Sequence, residues 1–222
     1  MGISEYLPFW DKLTAFQQQQ LQGSATQLRF KEGELLHQGA GDCVGLFIVV
    51  DGQLRSYHLT EDGKEITLYR LLPRDICLFS ASCMMPSIAF DVIIQCQEDT
   101  TVWHIPTGVY QSIMEQSAPV ANFTNALMAT NFSDVMWLMD QMLSKKLDSR
   151  IAALLLEEAD LRGTNVIPMT HEQLAGHLGT VREVVTRVLK YLQDEGLIRL
   201  TRGNITLENT EALHAIARDS LR

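Results

Sequence analysis

The residues from Thr170 to Leu192 constrain this chain more tightly than any other stretch. Two capping signatures, Thr170-x-x-Gln173 and Thr180-x-x-Glu183, each predict a helix start: a hydroxyl accepts from a free first-turn N–H while the residue three positions on reaches back. Gly179 falls between them, where a tight turn calls for a residue without a Cβ penalty at positive φ. Leu174 and Leu178 form one apolar stripe, and Val184, Val185, Val188, Leu189 and Leu192 form another. The small Ala175 lets the two helices cross closely. The pattern predicts a helix-turn-helix. Its second helix directs Arg182, Arg187 and Lys190 outward, which suits a helix laid in a major groove with cations near phosphates and base edges. Charged helix faces are more often simply solvated, so the flanking sequence has to decide.

The formal net charge of −9 argues against a nucleic-acid partner until it is divided along the chain. Residues 1–143 carry 7 Lys+Arg against 16 Asp+Glu, whereas residues 144–222 carry 11 of each. The whole acid excess lies upstream, and a neutral C-terminal part with its cations gathered on one face can still bind phosphate. No apolar run reaches the roughly 18 residues of a membrane span, and no leader-like segment opens the chain, so the expected location is the cytoplasm with no membrane partner. The four cysteines (43, 77, 83 and 96) form no close C-x-x-C pair. Free thiols are the expectation, with no metal site and no disulfide framework.

Upstream, residues 3–22 have roughly helical apolar spacing ending at Gly23. From Gln27 to Ile105 the pattern changes to short apolar runs with turn signals every ten or so residues, which indicates a β-sandwich or barrel. The run 46–50, then Asp51-Gly52, then residues 53–57 reads as a hairpin, because Asp-Gly favours the turn that matches strand twist. Residues 107–143 read as helical, broken near Ala118-Pro119. The apolar face of 120–143 is too wide for a lone surface helix, and Phe123, Leu127, Val135, Leu138 and Met142 are the candidate contacts to a two-fold mate. After a hinge at Ser144-Lys145-Lys146 the chain resumes as a helix over 147–159, with Val166-Ile167 as a short strand. Beyond the helix-turn-helix, residues 197–200 and 205–207 around a turn at 201–204 read as a wing bearing Arg199 and Arg202.

Taken together, the sequence resembles the CRP/FNR family of bacterial transcription regulators over nearly its whole length. Phe30-Lys31-Glu32-Gly33 with Gly39, Asp51-Gly52-Gln53-Leu54 and Glu61-Asp62-Gly63-Lys64-Glu65 are similar to that family's β-roll. Arg150-Ile151-Ala152 with Leu154-Leu155, the helix-turn-helix and Gly196-Leu197-Ile198 are similar to its C-terminal domain. The resemblance implies an α+β fold: a cyclic-nucleotide-binding-type β-roll over 1–118, a dimerisation helix over 119–143 and a winged helix-turn-helix over 144–222. It also implies a homodimer on a two-fold symmetric site in double-stranded DNA, half-sites about 34 Å apart, with RNA polymerase as a further partner. The DNA-reading positions of the family carry over onto Arg182, Glu183 and Arg187. Thr180, Thr186, Lys190 and Arg202 complete the candidate DNA contacts. Arg forks onto guanine and Glu accepts from cytosine, although Glu183 has a competing role as the partner of Thr180.

The sensor departs from the nucleotide-binding pattern. Phe79 stands where that pattern has a ribose-binding Glu, and Ala89-Phe90 stand where it has a phosphate-binding Arg and its neighbour. A phosphate buried there would lack its counter-charge, which disfavours a cyclic nucleotide. An iron–sulfur cluster is disfavoured because no N-terminal cysteine group precedes Cys43, and haem because no His follows Cys77. The cofactor is left unknown. Cys77, Phe79, Cys83 and Ala89 are the candidate effector pocket, the thiols read first as small hydrophobes and alternatively as a redox or metal switch. Two competing functions remain, a metal-dependent cupin-like enzyme and an effector-binding module without DNA binding. Against the first, His37, His58 and His104 are solitary; against the second stand Arg182, Arg187, Lys190 and the basic wing. No catalytic residues are expected.

Overall fold

The computed structural model describes residues 2–38, 44–78, 80 and 92–221. The chain divides into two compact units, Met1–Leu59 with Leu68–Val135, and Thr60–Thr67 with Met136–Arg222. The boundary falls inside a single long helix, so the segment expected as a separate dimerisation element over 119–143 is shared between the two units.

The first unit is built on two antiparallel four-stranded sheets. One has the order β1 (Thr26–Phe30), β8 (Thr100–Ile105), β3 (Leu46–Asp51), β6 (Ile76–Cys77); the other has β2 (Leu35–Gln38), β7 (Ile93–Cys96), β4 (Leu54–Leu59), β5 (Glu65–Leu71). β3 explains why a continuous apolar run occurs where alternation would be usual. Leu46 and Ile48 join a cluster with Leu21, Ile105 and Tyr110, while Phe47 and Val49 join another with Leu54, Ile94 and Val102. Both faces of this strand are covered from Leu46 to Val49, so each of those positions has to be apolar. Each such fully buried side chain contributes roughly 1.5–3 kcal/mol.

Two expectations are corrected here. The Asp51-Gly52 turn does not close a hairpin: β3 pairs with β8 and β6, whereas β4 pairs with β7 and neighbours β5. The turn is a corner that carries the chain from one sheet to the other. Gly52 is required there by close approach, since a Cβ would lie 2.6 Å from Thr100 Oγ1 and 2.7 Å from the Asp99 carbonyl oxygen. Likewise, residues 3–22 are not one helix. Short 3-10 turns at Ile3–Tyr6 and Trp10–Lys12 precede α1 (Ala15–Ser24), because Pro8 disfavours helical backbone at Leu7 and Thr14 forms the reciprocal cap with Gln17.

Ser117 separates α2 (Thr107–Gln116) from α3 (Ala118–Ser144), and the Tyr110 hydroxyl lies 2.8 Å from Thr124 Oγ1 across that break. α3 has 27 residues and is therefore about 40 Å long. Among the described residues no helix is long and apolar enough to cross a membrane.

In the second unit, α4 (Leu147–Arg162), β9 (Val166–Ile167), α5 (His171–Leu178), α6 (Arg182–Asp194), β10 (Ile198–Thr201), β11 (Asn204–Leu207) and α7 (Thr210–Ala217) follow in order. The strands form one sheet, β10-β11-β9. Ile151, Leu155, Leu174, Val185, Leu189, Leu192 and Leu213 are among the fully buried members of the core. α7 was not anticipated from the sequence. Asn209 caps it, accepting from the Ala212 N–H at 3.0 Å, and Ser220 just beyond it lies 3.0 Å from Ser149 on α4.

Candidate nucleic-acid interface

α5 begins as expected. The Gln173 N–H donates to Thr170 Oγ1 at 3.2 Å, and the Thr170 N–H donates to Gln173 Oε1 at 2.8 Å. It ends at Gly179, whose φ of 64° and ψ of 36° place it in the left-handed region. Arg150 on α4 donates from Nη2 to the Leu178 carbonyl at 2.7 Å, which fastens the turn to the body of the unit. Burial holds this guanidinium below the ordinary arginine range.

The second capping box does not form. The N-cap of α6 is Val181, in extended conformation and with no side-chain cap hydrogen bond, and Thr180 lies one residue too early. The Val184 N–H instead donates to the Val181 carbonyl at 3.1 Å. Glu183 is therefore not tied to Thr180 as a cap partner.

Around α6, Val185, Leu189 and Leu192 are fully buried, with Val184 and Val188 half-buried beside them. Arg182, Glu183, Thr186, Arg187 and Lys190 are all exposed, and their spacing puts them on one side of the helix, while Thr180 is half-buried in the turn. The wing is an antiparallel pair with Thr201 opposite Asn204, so Arg202 and Gly203 are its tip. Arg202 is exposed. Arg199 Nε lies 2.9 Å from Glu208 Oε1, an ion pair between two exposed side chains. The two wing arginines therefore differ, one paired beside the strand and one at the tip.

The sequence reading missed His171. Its Nδ1 lies 2.9 Å from Oγ1 of Thr186 on the exposed face of α6. Burial, and then the charge of Arg182, lower its pKa from the ordinary histidine value. His171 lines a cleft of about 400 Å³ with Met169, Thr170, Glu172 and Arg182 and the wing residues Thr201, Gly203, Asn204 and Ile205. The position directly after an N-cap, facing the next helix, was the only signal available.

Elsewhere the structure separates the remaining candidates. Cys77 is fully buried on β6 opposite Phe47, while Phe79, Cys83 and Ala89 lie outside the described residues. Cys96 is also buried, which pushes its thiol up to about 11. On α3, Phe123 and Leu127 pack into the core of their own chain, with the Phe123 ring 5.2 Å from that of Phe9. Val135 and Leu138 are half-buried and Met142 is exposed. Ala129, Phe132, Met136, Met139 and Leu143 are among the other exposed apolar positions of the same helix. Among the described residues no group of three or more His, Cys, Asp or Glu could hold a metal ion.

A β-roll and a winged helix-turn-helix whose second helix exposes Arg182, Arg187 and Lys190 define the class of DNA-binding regulators that carry a sensory module. Comparison with known proteins agrees. Residues 27–117 match the model of the cyclic nucleotide-binding domain, and residues 149–216 match that of the Crp-like helix-turn-helix domain. A solved structure from Eubacterium rectale ATCC 33656, assigned to the Crp/Fnr family of transcriptional regulators, is 50% identical with a TM-score of 0.94, covering 96% of this chain and 99% of that one. The cyclic AMP receptor protein of Thermus thermophilus is 27% identical over 172 residues, 78% of this chain and 79% of that protein. The fumarate and nitrate reduction regulatory protein of Salmonella typhimurium is 26% identical over 199 residues, 84% of this chain and 76% of that protein. This chain belongs to the CRP/FNR family. It is a DNA-binding transcription regulator of that type and not an enzyme.

Proposed function

We propose that the protein works as a cytoplasmic homodimer that places one α6 from each subunit in successive major grooves of a two-fold symmetric DNA site. The observation that carries this reading is the face of α6, where Arg182, Glu183, Thr186, Arg187 and Lys190 are exposed together above the buried Val185, Leu189 and Leu192. Arg182 and Arg187 offer bidentate donors to guanine, Glu183 offers an acceptor to cytosine, and Lys190 and Arg202 offer charge to phosphates. Thr180 stays a candidate contact from the turn.

Dimerisation is supported by α3. Ala129, Phe132, Met136, Met139 and Leu143 recur at spacings of three and four, the period that lines one seam between two paired helices. RNA polymerase is the expected further partner. The effector is proposed to act in the β-roll near Cys77, and the sequence there disfavours a cyclic nucleotide. Incubating the full-length protein with a random-sequence duplex pool tests the reading. Enrichment of inverted repeats with half-site centres about 34 Å apart is expected; failure to enrich any sequence would overturn it.

A further inference from the structure

The cleft between the start of α5, the start of α6 and the tip of the wing contains a histidine that faces the reading helix. We propose that His171 is a proton-linked positioning residue of the DNA interface: taking up one proton there changes the hydrogen bond offered by Thr186 and strengthens DNA binding as the pH falls. The inference rests on the DNA-binding reading above and deepens it by assigning a regulation to that surface.

His171 Nδ1 lies 2.9 Å from Thr186 Oγ1. A neutral ring with its hydrogen on Nε2 accepts at Nδ1 from the Thr186 hydroxyl, so that hydrogen is occupied within the protein. An imidazolium carries hydrogens on both nitrogens. It must donate at Nδ1, Thr186 becomes the acceptor, and the hydroxyl hydrogen is released toward whatever lies over the face of α6. No bond other than N–H is made, and the proton comes from solvent.

The charged groups around the ring favour coupling of this step to DNA. Arg182 from α6 and Glu172 from α5 line the same cleft, while the wing contributes Thr201, Gly203, Asn204 and Ile205, none of them charged. In the free protein, burial and Arg182 favour the neutral ring. If α6 occupies a groove and the wing tip touches backbone, the strand bounding that groove runs past this cleft and brings phosphate toward it. Negative charge raises the pKa of a histidine, so the complex binds the proton more tightly than the free protein does. Affinity therefore rises as the pH falls from the raised value in the complex toward the lowered value in the free protein. A difference of about one pKa unit between the two forms corresponds to a tenfold limit on the gain.

The test uses the full-length protein and a fluorescein-labelled duplex enriched from the random pool, with anisotropy titrations at constant ionic strength between about pH 5.5 and 7.5. Wild type is expected to bind roughly three- to tenfold more tightly at the acid end. His171→Asn keeps a hydrogen-bonding group close to the Nδ1 position without titrating there. It is expected to lose the pH dependence whatever its affinity near neutrality. His171→Gln provides a second non-titrating variant, and thermal melts at both pH limits check that each is folded. Equal pH slopes in wild type and both variants, or a flat wild-type profile, would overturn the inference while leaving DNA binding standing. Absence of enrichment for any duplex would instead remove the DNA-binding reading.

Discussion

Arg182, Glu183 and Arg187 are exposed on one side of α6, and their chemistry differs enough to be told apart by experiment. Arg187→Ala is expected to cost roughly 1–3 kcal/mol of specific binding and to relax preference at one base pair, measured by titration against duplexes with single base changes. An equal loss on every sequence would make Arg187 a phosphate contact instead. At Gly179 the cost falls on folding. With φ at 64°, Gly179→Ala should lower stability by roughly 1–2 kcal/mol in a denaturant titration, and an unchanged midpoint would contradict the left-handed turn. The sequence located this glycine and the Thr170 cap because both follow from local backbone chemistry. It misplaced the second cap, because Thr180 and Val181 compete for one position and a three-residue spacing alone cannot choose between them. His171 escaped notice for a different reason: its partner is 15 residues away, and only the crossing of two helices brings them together.

At the scale of elements, α3 shows how far periodicity can be read. Its apolar residues are spread almost around the helix, so the pattern announced two contacts without saying which side faced the chain's own core. Phe123 and Leu127 turned inward, whereas Phe132, Met136 and Met139 are exposed at 67%, 44% and 47%. A charge placed on an exposed apolar seam should oppose pairing. On the proposed dimeric reading, in which both half-sites are held at once, Met136→Glu with Met139→Glu is expected to shift the protein from dimer toward monomer in light scattering and to weaken DNA binding at least tenfold. A variant still dimeric at micromolar concentration would rule out this seam. The β3–β4 corner carries a related lesson. Asp51-Gly52 signalled a turn correctly, yet a turn signal does not specify whether the next strand pairs with the last or joins another sheet. That choice is made by long-range pairing with β7 and β8, which a local dipeptide does not encode.

For the whole molecule, charge sets the terms on which it can meet DNA. With 27 acidic residues against 18 basic ones, the chain as a whole is repelled by a polyanion, and the 11 cations of residues 144–222 are matched one for one by acids. Binding must come from local arrangement, and salt dependence measures that arrangement by counting the ions displaced from DNA. The Arg199–Glu208 pair bears on this count. Its carboxylate already serves one wing arginine, so Arg199 has little reason to displace a counterion, whereas Arg202 at the tip has no such reason to hold back. Glu208→Gln should release that reserve. The slope of log affinity against log salt is expected to steepen by about one per subunit, with tighter binding at low salt and little change at high salt. An unchanged slope would mean that Arg199 stays away from the backbone even when freed. On the expected outcome the wing holds an adjustable valence, a single carboxylate setting how many ions each subunit trades with its target.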